Sequence, residues 1–131
     1  MGGGFAVGAA TVFPNRPVFI IYGDGSAGYS IVELDTLKRH NLNQVKVIVG
    51  NDGAWTQILR AQKDLLGSPV ANILARSSYQ KIAEAFECEG STLHDAAQLQ
   101  PSLEDLNSSK VPNVLNVHIG TTDFREGSIS V

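Results

Sequence analysis

Cysteine, methionine and tryptophan each occur once in these 131 residues, and the scarcities exclude whole classes of protein. Cys88 is alone, so an internal disulfide framework is impossible, and three scattered histidines give it no zinc-ligand spacing. Such cysteine usage fits a reducing compartment. Positive charge is not in excess: 10 Lys and Arg stand against 13 Asp and Glu, a formal net charge of −3, which leaves no basic footprint for nucleic acid. No apolar run approaches the ~20 residues of a membrane helix, and the Met1 end lacks the basic flank of a secretory signal. Repeats and low-complexity tracts are missing too. What remains is ordinary: 43% hydrophobic and 18% charged residues describe a soluble globular chain, long enough for one domain with its own core.

The hydrophobic pattern alternates between strand and helix periods. Gly2 to Phe13 is small and apolar and reads as a buried helix closed by Pro14. Pro17 introduces Val18–Tyr22, a continuous apolar run expected of a strand covered on both faces. Ser26 to His40 carries Ala27, Ile31, Leu34 and Leu37 on one helical face, with Lys38, Arg39 and His40 at its dipole-negative end. Val45–Val49 is the next strand, interrupted only by Lys46. Helices are expected over Trp55–Leu66, stopped by Gly67–Ser68–Pro69, around Tyr79, Ile82, Ala83 and Phe86, and over Pro101–Ser108. A short strand near Ser91–Leu93 and a last one over Val114–Ile119 complete the pattern, and the tail from Gly120 to Val131 has no period. The expectation is an α/β fold of three layers, a mostly parallel sheet with helices on both faces.

The turns after the first two strands carry the chemistry. Gly23-Asp24-Gly25-Ser26 follows the first, and Gly50-Asn51-Asp52-Gly53 follows the second. If those strands are parallel neighbours joined by the Ser26 helix, Asp24 and Asn51 emerge at the same sheet edge. A carboxylate and an amide oxygen are hard donors that suit Mg²⁺, an ion usually held by few protein groups and bridged to phosphate. Gly25 and Ser26 open the helix, whose free N–H groups favour such a phosphate.

Other readings compete for the same residues. Gly23, Gly25 and Gly28 satisfy the spacing of a dinucleotide-binding turn, with Asp52 placed as a ribose-binding acid. That reading sets the Asp24 carboxylate against a pyrophosphate with no cation between them. Ser26 also lies on a strand–turn–helix corner, as a hydrolase nucleophile would, but Asp24 stands where the nucleophile elbow wants glycine, and none of His40, His94 and His118 is marked out as its base. Trp55, just beyond the Asn51 turn, serves either the core or the wall of a pocket on the substrate side. Glu33, Asp35 and the Lys38–His40 cluster read as structural or solvated helix positions.

The motifs GDGSAGYSIVELDTLKRHNL and VKVIVGNDGAW resemble the diphosphate-binding domain of thiamine diphosphate (ThDP) enzymes, whose signature is GDG, about two dozen residues, then asparagine. The resemblance spans nearly the whole chain. The stretches GNDGAWTQI, LGSPVA and GTTDFREGSISV look nearest the acetolactate synthase-like members regarded as 2-hydroxyacyl-CoA lyases. It implies that Asp24, Asn51 and the Gly53 carbonyl hold Mg²⁺, and that Gly23, Gly25 and Ser26 contact the diphosphate. Gly50 departs from the family's usual first asparagine, and Asp52 adds a charge without an assigned role.

The resemblance also implies partners. The family activates ThDP with a glutamate from a separate pyrimidine-binding domain, usually across a subunit interface of a homo-oligomer, and no catalytic residue is assigned to this chain. Residues 1–131 are therefore expected to be the C-terminal half-site of a larger enzyme, inactive in isolation, that makes or breaks a carbon–carbon bond in a small acyl substrate. The first choice is 2-hydroxyacyl-CoA cleavage and the runner-up acetolactate synthesis, with a non-catalytic dinucleotide-binding module as the reading from another class. An apolar patch around the Gly2–Val12 helix and the Trp55 loop is expected to meet the missing domain, and the relatives suggest an endoplasmic reticulum enzyme anchored through an N-terminal segment.

Overall fold

The computed structural model describes residues 2–121; most of the aperiodic tail lies outside them. The elements run α1 (Gly2–Val12), β1 (Val18–Gly23), α2 (Asp24–Ser30), α3 (Glu33–Arg39), β2 (Val45–Asn51), α4 (Thr56–Leu66), α5 (Tyr79–Ala85), β3 (Glu89–Leu93), α6 (Leu99–Ser108) and β4 (Asn113–His118), with one 3₁₀ turn at Ala96–Gln98. The four strands form one sheet in the order β1-β2-β4-β3, and every pairing is parallel. All strand C-terminal ends therefore share one edge.

One face of the sheet carries the main core. Ile20 and Tyr22 of β1, Val45, Val47 and Val49 of β2 and Val114 of β4 pack with Ala6, Ala10, Ala27, Ile31, Leu34, Leu37 and Ala83 from the helices. The small residues Gly3, Ala6 and Ala10 form the buried stripe of α1, at a spacing that turns one helical face inward. A Cβ on Gly3 would lie only 2.8 Å from the Glu33 side chain, so glycine lets α1 sit down on the α2–α3 corner. Cys88 belongs to this core, and burial raises its thiol pKa.

The third layer is partial. On the opposite face Leu93, Leu106 and Leu115 make a smaller cluster under α6, with Ile48 of β2 packed at its edge. β1 is the far edge strand, so Phe19 and Ile21 face outward there, Ile21 at 77% exposure. The expectation of a strand covered on both faces is corrected accordingly: an apolar run reports what a strand can bury, and the cover must come from another element. The reading of α1 as a buried helix fails likewise, because Phe5 is 77% exposed and Val12 is exposed beside it. α4 has no buried residue at all, with Ile58, Leu65 and Leu66 exposed.

The single helix expected from Ser26 to His40 begins at Asp24 and is broken. Ile31 and Val32 are adjacent β-branched residues, and the chain tightens there through Leu34 N–H to Ile31 O and Asp35 N–H to Val32 O, both 3.1 Å. α4 stops at Gly67 in the left-handed region (φ +65°), a conformation glycine takes without a Cβ clash. No helix among the described residues is long and apolar enough to cross a membrane.

Lys46, the polar interruption of β2, is 2% exposed. Its ammonium donates to the carbonyls of Asn43 (3.0 Å), Ser109 (2.8 Å) and Val111 (3.1 Å), tying the start of β2 to the α6–β4 connection. Burial lowers its pKa. Lys46→Met would leave the Asn43 and Ser109 carbonyls without their donor, Val111 O keeping the Ser109 hydroxyl, and orphaning buried acceptors costs ~1–3 kcal/mol. Urea unfolding should show a loss of about 2 kcal/mol; an unchanged midpoint would count against the staple.

Candidate functional site at the strand C-terminal edge

Register brings the two turns together. Gly23 of β1 pairs with Gly50 of β2, so Asp24 and Asn51 follow at matching positions on one edge. Asp24 is 2% exposed, and its carboxylate spans both turns. Oδ1 accepts the Gly25 N–H at 2.9 Å, and Oδ2 accepts the Gly53 N–H at 2.8 Å. The Asp24 main-chain oxygen accepts from Tyr79 Oη at 2.8 Å. Burial, and then the Asp24 charge, raise the pKa of that phenol, so it stays a donor.

Asn51 is fully buried. Its Nδ2 donates to Ser77 O at 3.0 Å and to Asn116 Oδ1 at 3.1 Å. Its Oδ1 is buried and accepts no hydrogen bond among the described residues. Gly53 sits at φ +77°, a left-handed position suited to glycine. Its carbonyl accepts Leu74 N–H at 2.8 Å, which uses one of two lone pairs.

This donor set fits Mg²⁺. A buried carboxylate whose charge meets no described ion pair and a buried amide oxygen without a donor are both costly unless a cation serves them. No cluster of three His, Cys, Asp or Glu occurs among the described residues, so the softer transition-metal sites have no candidate there. One carboxylate, one amide oxygen and a carbonyl are hard ligands of the kind Mg²⁺ takes alongside water and phosphate.

A cavity of about 300 Å³ opens over these turns, lined by Gly23, Asp24, Gly25, Ser26, Asp52 and Trp55 among others. Trp55 lies across Gly25: a Cβ there would stand 2.7 Å from the indole. Tyr29, one turn further along α2, also packs on Trp55, ring centroids 5.9 Å apart. Trp55 therefore walls the cavity as well as packing locally.

The rival readings lose their geometry. Asp52 turns its carboxylate back onto its own loop, accepting from Ala54 N–H and from the Thr56 hydroxyl, where it opens α4 instead of reaching for a ribose. Ser26 Oγ donates to Gly23 O at 2.9 Å, so its proton points at a carbonyl and not at an imidazole. His40 ends α3, beside the loop that enters β2 at the opposite sheet edge. His94 and His118 contact each other edge-on at 4.3 Å, and burial, then His94 and Arg76, lower the His118 pKa.

Sequence reasoning missed Asn116, Ser77, Gln80 and Tyr79, which surround Asn51 and Asp24. Asn116 had a signal: it is a polar residue in a strand whose neighbours Val114 and Leu115 are fully buried. Alternation alone sends such a residue to the solvent face; only the central position of β4 places it inside.

Comparison with known proteins gives the family. Residues 1–117 match the family model described as thiamine pyrophosphate enzyme, C-terminal TPP binding domain. The 2-hydroxyacyl-CoA lyase 2 of Caenorhabditis elegans is 50% identical over all of this chain and 21% of its own length; the human protein of that name is 43% identical with the same coverage. The acetolactate synthase large subunit IlvG of Mycobacterium tuberculosis is 38% identical over 88% of this chain and 21% of its own. Among solved structures, a thiamine diphosphate-dependent 4-hydroxybenzoylformate decarboxylase of Rhodococcus jostii RHA1 superposes with a TM-score of 0.82 at 24% identity, over 89% of this chain and 22% of that one, a likeness of fold. The chain spans about a fifth of the length of the curated relatives it matches. With a family match over nearly its whole length and a buried Asp–Asn pair at the parallel edge, this chain belongs to the C-terminal TPP-binding domains of the thiamine pyrophosphate enzymes.

Proposed function

We propose that this domain holds the diphosphate end of ThDP through Mg²⁺, as half of the active site of a 2-hydroxyacyl-CoA lyase. The observation that carries the metal is the buried Asp24 carboxylate and, on the same sheet edge, the donorless Asn51 Oδ1. Asp24 and Asn51 bind the ion through side-chain oxygens, and Gly53 through its remaining carbonyl lone pair. Gly23, Gly25 and Ser26 line the cavity that receives the diphosphate, and Trp55 closes its substrate side. When bound, the cofactor supplies the electron sink needed to make or break a carbon–carbon bond next to a carbonyl. The chain's own residues anchor and orient, and the proton-handling glutamate belongs to a pyrimidine-binding domain outside this chain, contributed by another subunit of a homo-oligomer.

The lyase reading rests on relatives that match the whole chain at up to 50% identity, against 38% over 88% for the synthase. The reaction cleaves a 2-hydroxyacyl-CoA between C1 and C2 into an aldehyde and formyl-CoA. We place the enzyme at the endoplasmic reticulum membrane, held by a segment outside this chain. The test uses the full-length protein with ThDP and Mg²⁺. Formyl-CoA and aldehyde should form from a 2-hydroxyacyl-CoA, with little acetolactate from pyruvate. Acetolactate without thioester cleavage would replace the lyase by the synthase.

A further inference from the structure

Asn116 is a fully buried amide in the middle of an apolar strand, and its bonds all run in one direction. Gln80 Oε1 accepts from Asn116 Nδ2 at 3.0 Å, and Ser77 O accepts from the same group at 3.4 Å. Asn116 Oδ1 then accepts from Asn51 Nδ2 at 3.1 Å, and Ser77 O accepts again from Asn51 Nδ2 at 3.0 Å. Asn51 and Asn116 are thereby each told which way to point. The donations start at Asn51, whose own Oδ1 is left without a donor. The other such atom among the described residues, Asn113 Oδ1, lies at the opposite end of β4 and outside this chain of bonds.

We propose that Gln80 and Asn116 are positioning residues, an amide relay that fixes Asn51 with its oxygen, not its nitrogen, toward the cation. The inference rests on the Mg²⁺ reading above and extends it to two residues that do not touch the ion. An asparagine side chain has nearly the same shape in both orientations, and only its partners decide which atom faces a ligand. Flipping Asn51 would turn its oxygen onto Ser77 O and Asn116 Oδ1, two acceptors with nothing to donate. Two buried amides in a hydrophobic sheet are a cost that an apolar pair of similar size would avoid. The orientation they impose accounts for them.

Asn116→Leu removes the acceptor that holds Asn51 and leaves Ser77 O alone to orient it. Outer-shell partners of metal ligands typically contribute ~10–100-fold in affinity. The Mg²⁺ concentration for half-maximal ThDP retention by the full-length protein, read by equilibrium dialysis, should rise about tenfold, the low end of that range. Asn116→Asp keeps an acceptor for Asn51 Nδ2, and Gln80 can turn its own amide to donate, so despite the carboxylate oxygen it turns on Ser77 O its Mg²⁺ requirement should rise less than that of Asn116→Leu. Gln80→Met, at a half-buried position of α5, leaves Asn116 Nδ2 only the longer bond to Ser77 O and should give a smaller rise; it keeps the test decisive if the leucine variant does not fold. The unfolding temperature without Mg²⁺ is followed in parallel. An unchanged Mg²⁺ requirement in folded Asn116→Leu or Gln80→Met would overturn the relay. So would rises that simply track lost thermal stability, with aspartate no better than leucine. Wild-type protein that retains ThDP without any divalent ion would overturn the metal reading itself, a result distinct from both.

Discussion

Asp24→Ala should abolish Mg²⁺-dependent ThDP retention in the full-length protein while leaving the domain folded. The two halves of that expectation have separate physical sources. Changing the outer-shell partner of a metal ligand costs ~10–100-fold in affinity, and removing the single carboxylate ligand should exceed that range. Folding is spared because two effects oppose. Alanine strands the Gly25 and Gly53 N–H groups that the carboxylate accepts, at ~1–3 kcal/mol each when they are buried. It also removes a buried negative charge that no described cation neutralises, which is itself unfavourable by a comparable amount. Without Mg²⁺ the variant should therefore unfold close to wild type, and the gap should open only when Mg²⁺ and ThDP are added. Differential scanning calorimetry with and without both ligands, beside dialysis with labelled ThDP, reads this directly. Wild-type retention after dialysis would remove Asp24 from the metal site.

Gly90→Ala should be the most destabilising single methyl in the domain. A Cβ on Gly90 would stand 2.4 Å from Gln80 O, 2.8 Å from its Cα and 2.9 Å from its carbonyl carbon. These are backbone atoms of α5, so no rotamer change relieves the contact. Either α5 lifts off the sheet or β3 leaves its ladder with β4. Overpacking of a close-packed core costs ~1–3 kcal/mol and occasionally more, and a helix that must move as a unit belongs at or above the top of that range. A loss of about 3 kcal/mol in urea unfolding is expected. Because Gln80 belongs to the amide relay, surviving protein should also need more Mg²⁺ than wild type. Stability within 1 kcal/mol of wild type, roughly the effect of an ordinary surface change, would mean that the α5–β3 contact is looser than described.

Much of this was legible before the fold was known. GDGS and GND after successive apolar runs identify two turns, and the parallel βαβ rule places them on one edge; the pairing of Gly23 with Gly50 realises that placement. The strands and most helices fall within one or two residues of their periodic segments because Gly67, Pro14 and Pro17 punctuate them. What the pattern could not carry is anything set by a partner. Ile21 and Phe5 look like core by type, yet their cover is not among the described residues. Asp52 seemed free to serve a ligand, but its role is fixed by Ala54 and Thr56, a local hydrogen-bonding choice that composition does not reveal. Asn116 could be read as facing water until β4 proved to be a central strand. The order β1-β2-β4-β3 depends on which long crossover lands where, and strand spacing leaves that open.

The ladder between β1 and β2 has a consequence for how such sites persist as sequences diverge. Its register, not the number of residues between Asp24 and Asn51, decides whether the two side chains meet. Residues can be added to the turn around Asn41 or lost from it, and the pair still faces itself, because the strands re-pair Val18 with Val45 and every position beyond. A single deletion inside Val45–Asn51 leaves the count almost untouched and sends the amide to the other side of the sheet. A motif written as a fixed interval is thus the shadow of a ladder phase. Distant members of such a family are better found by aligning strand ends than by counting letters.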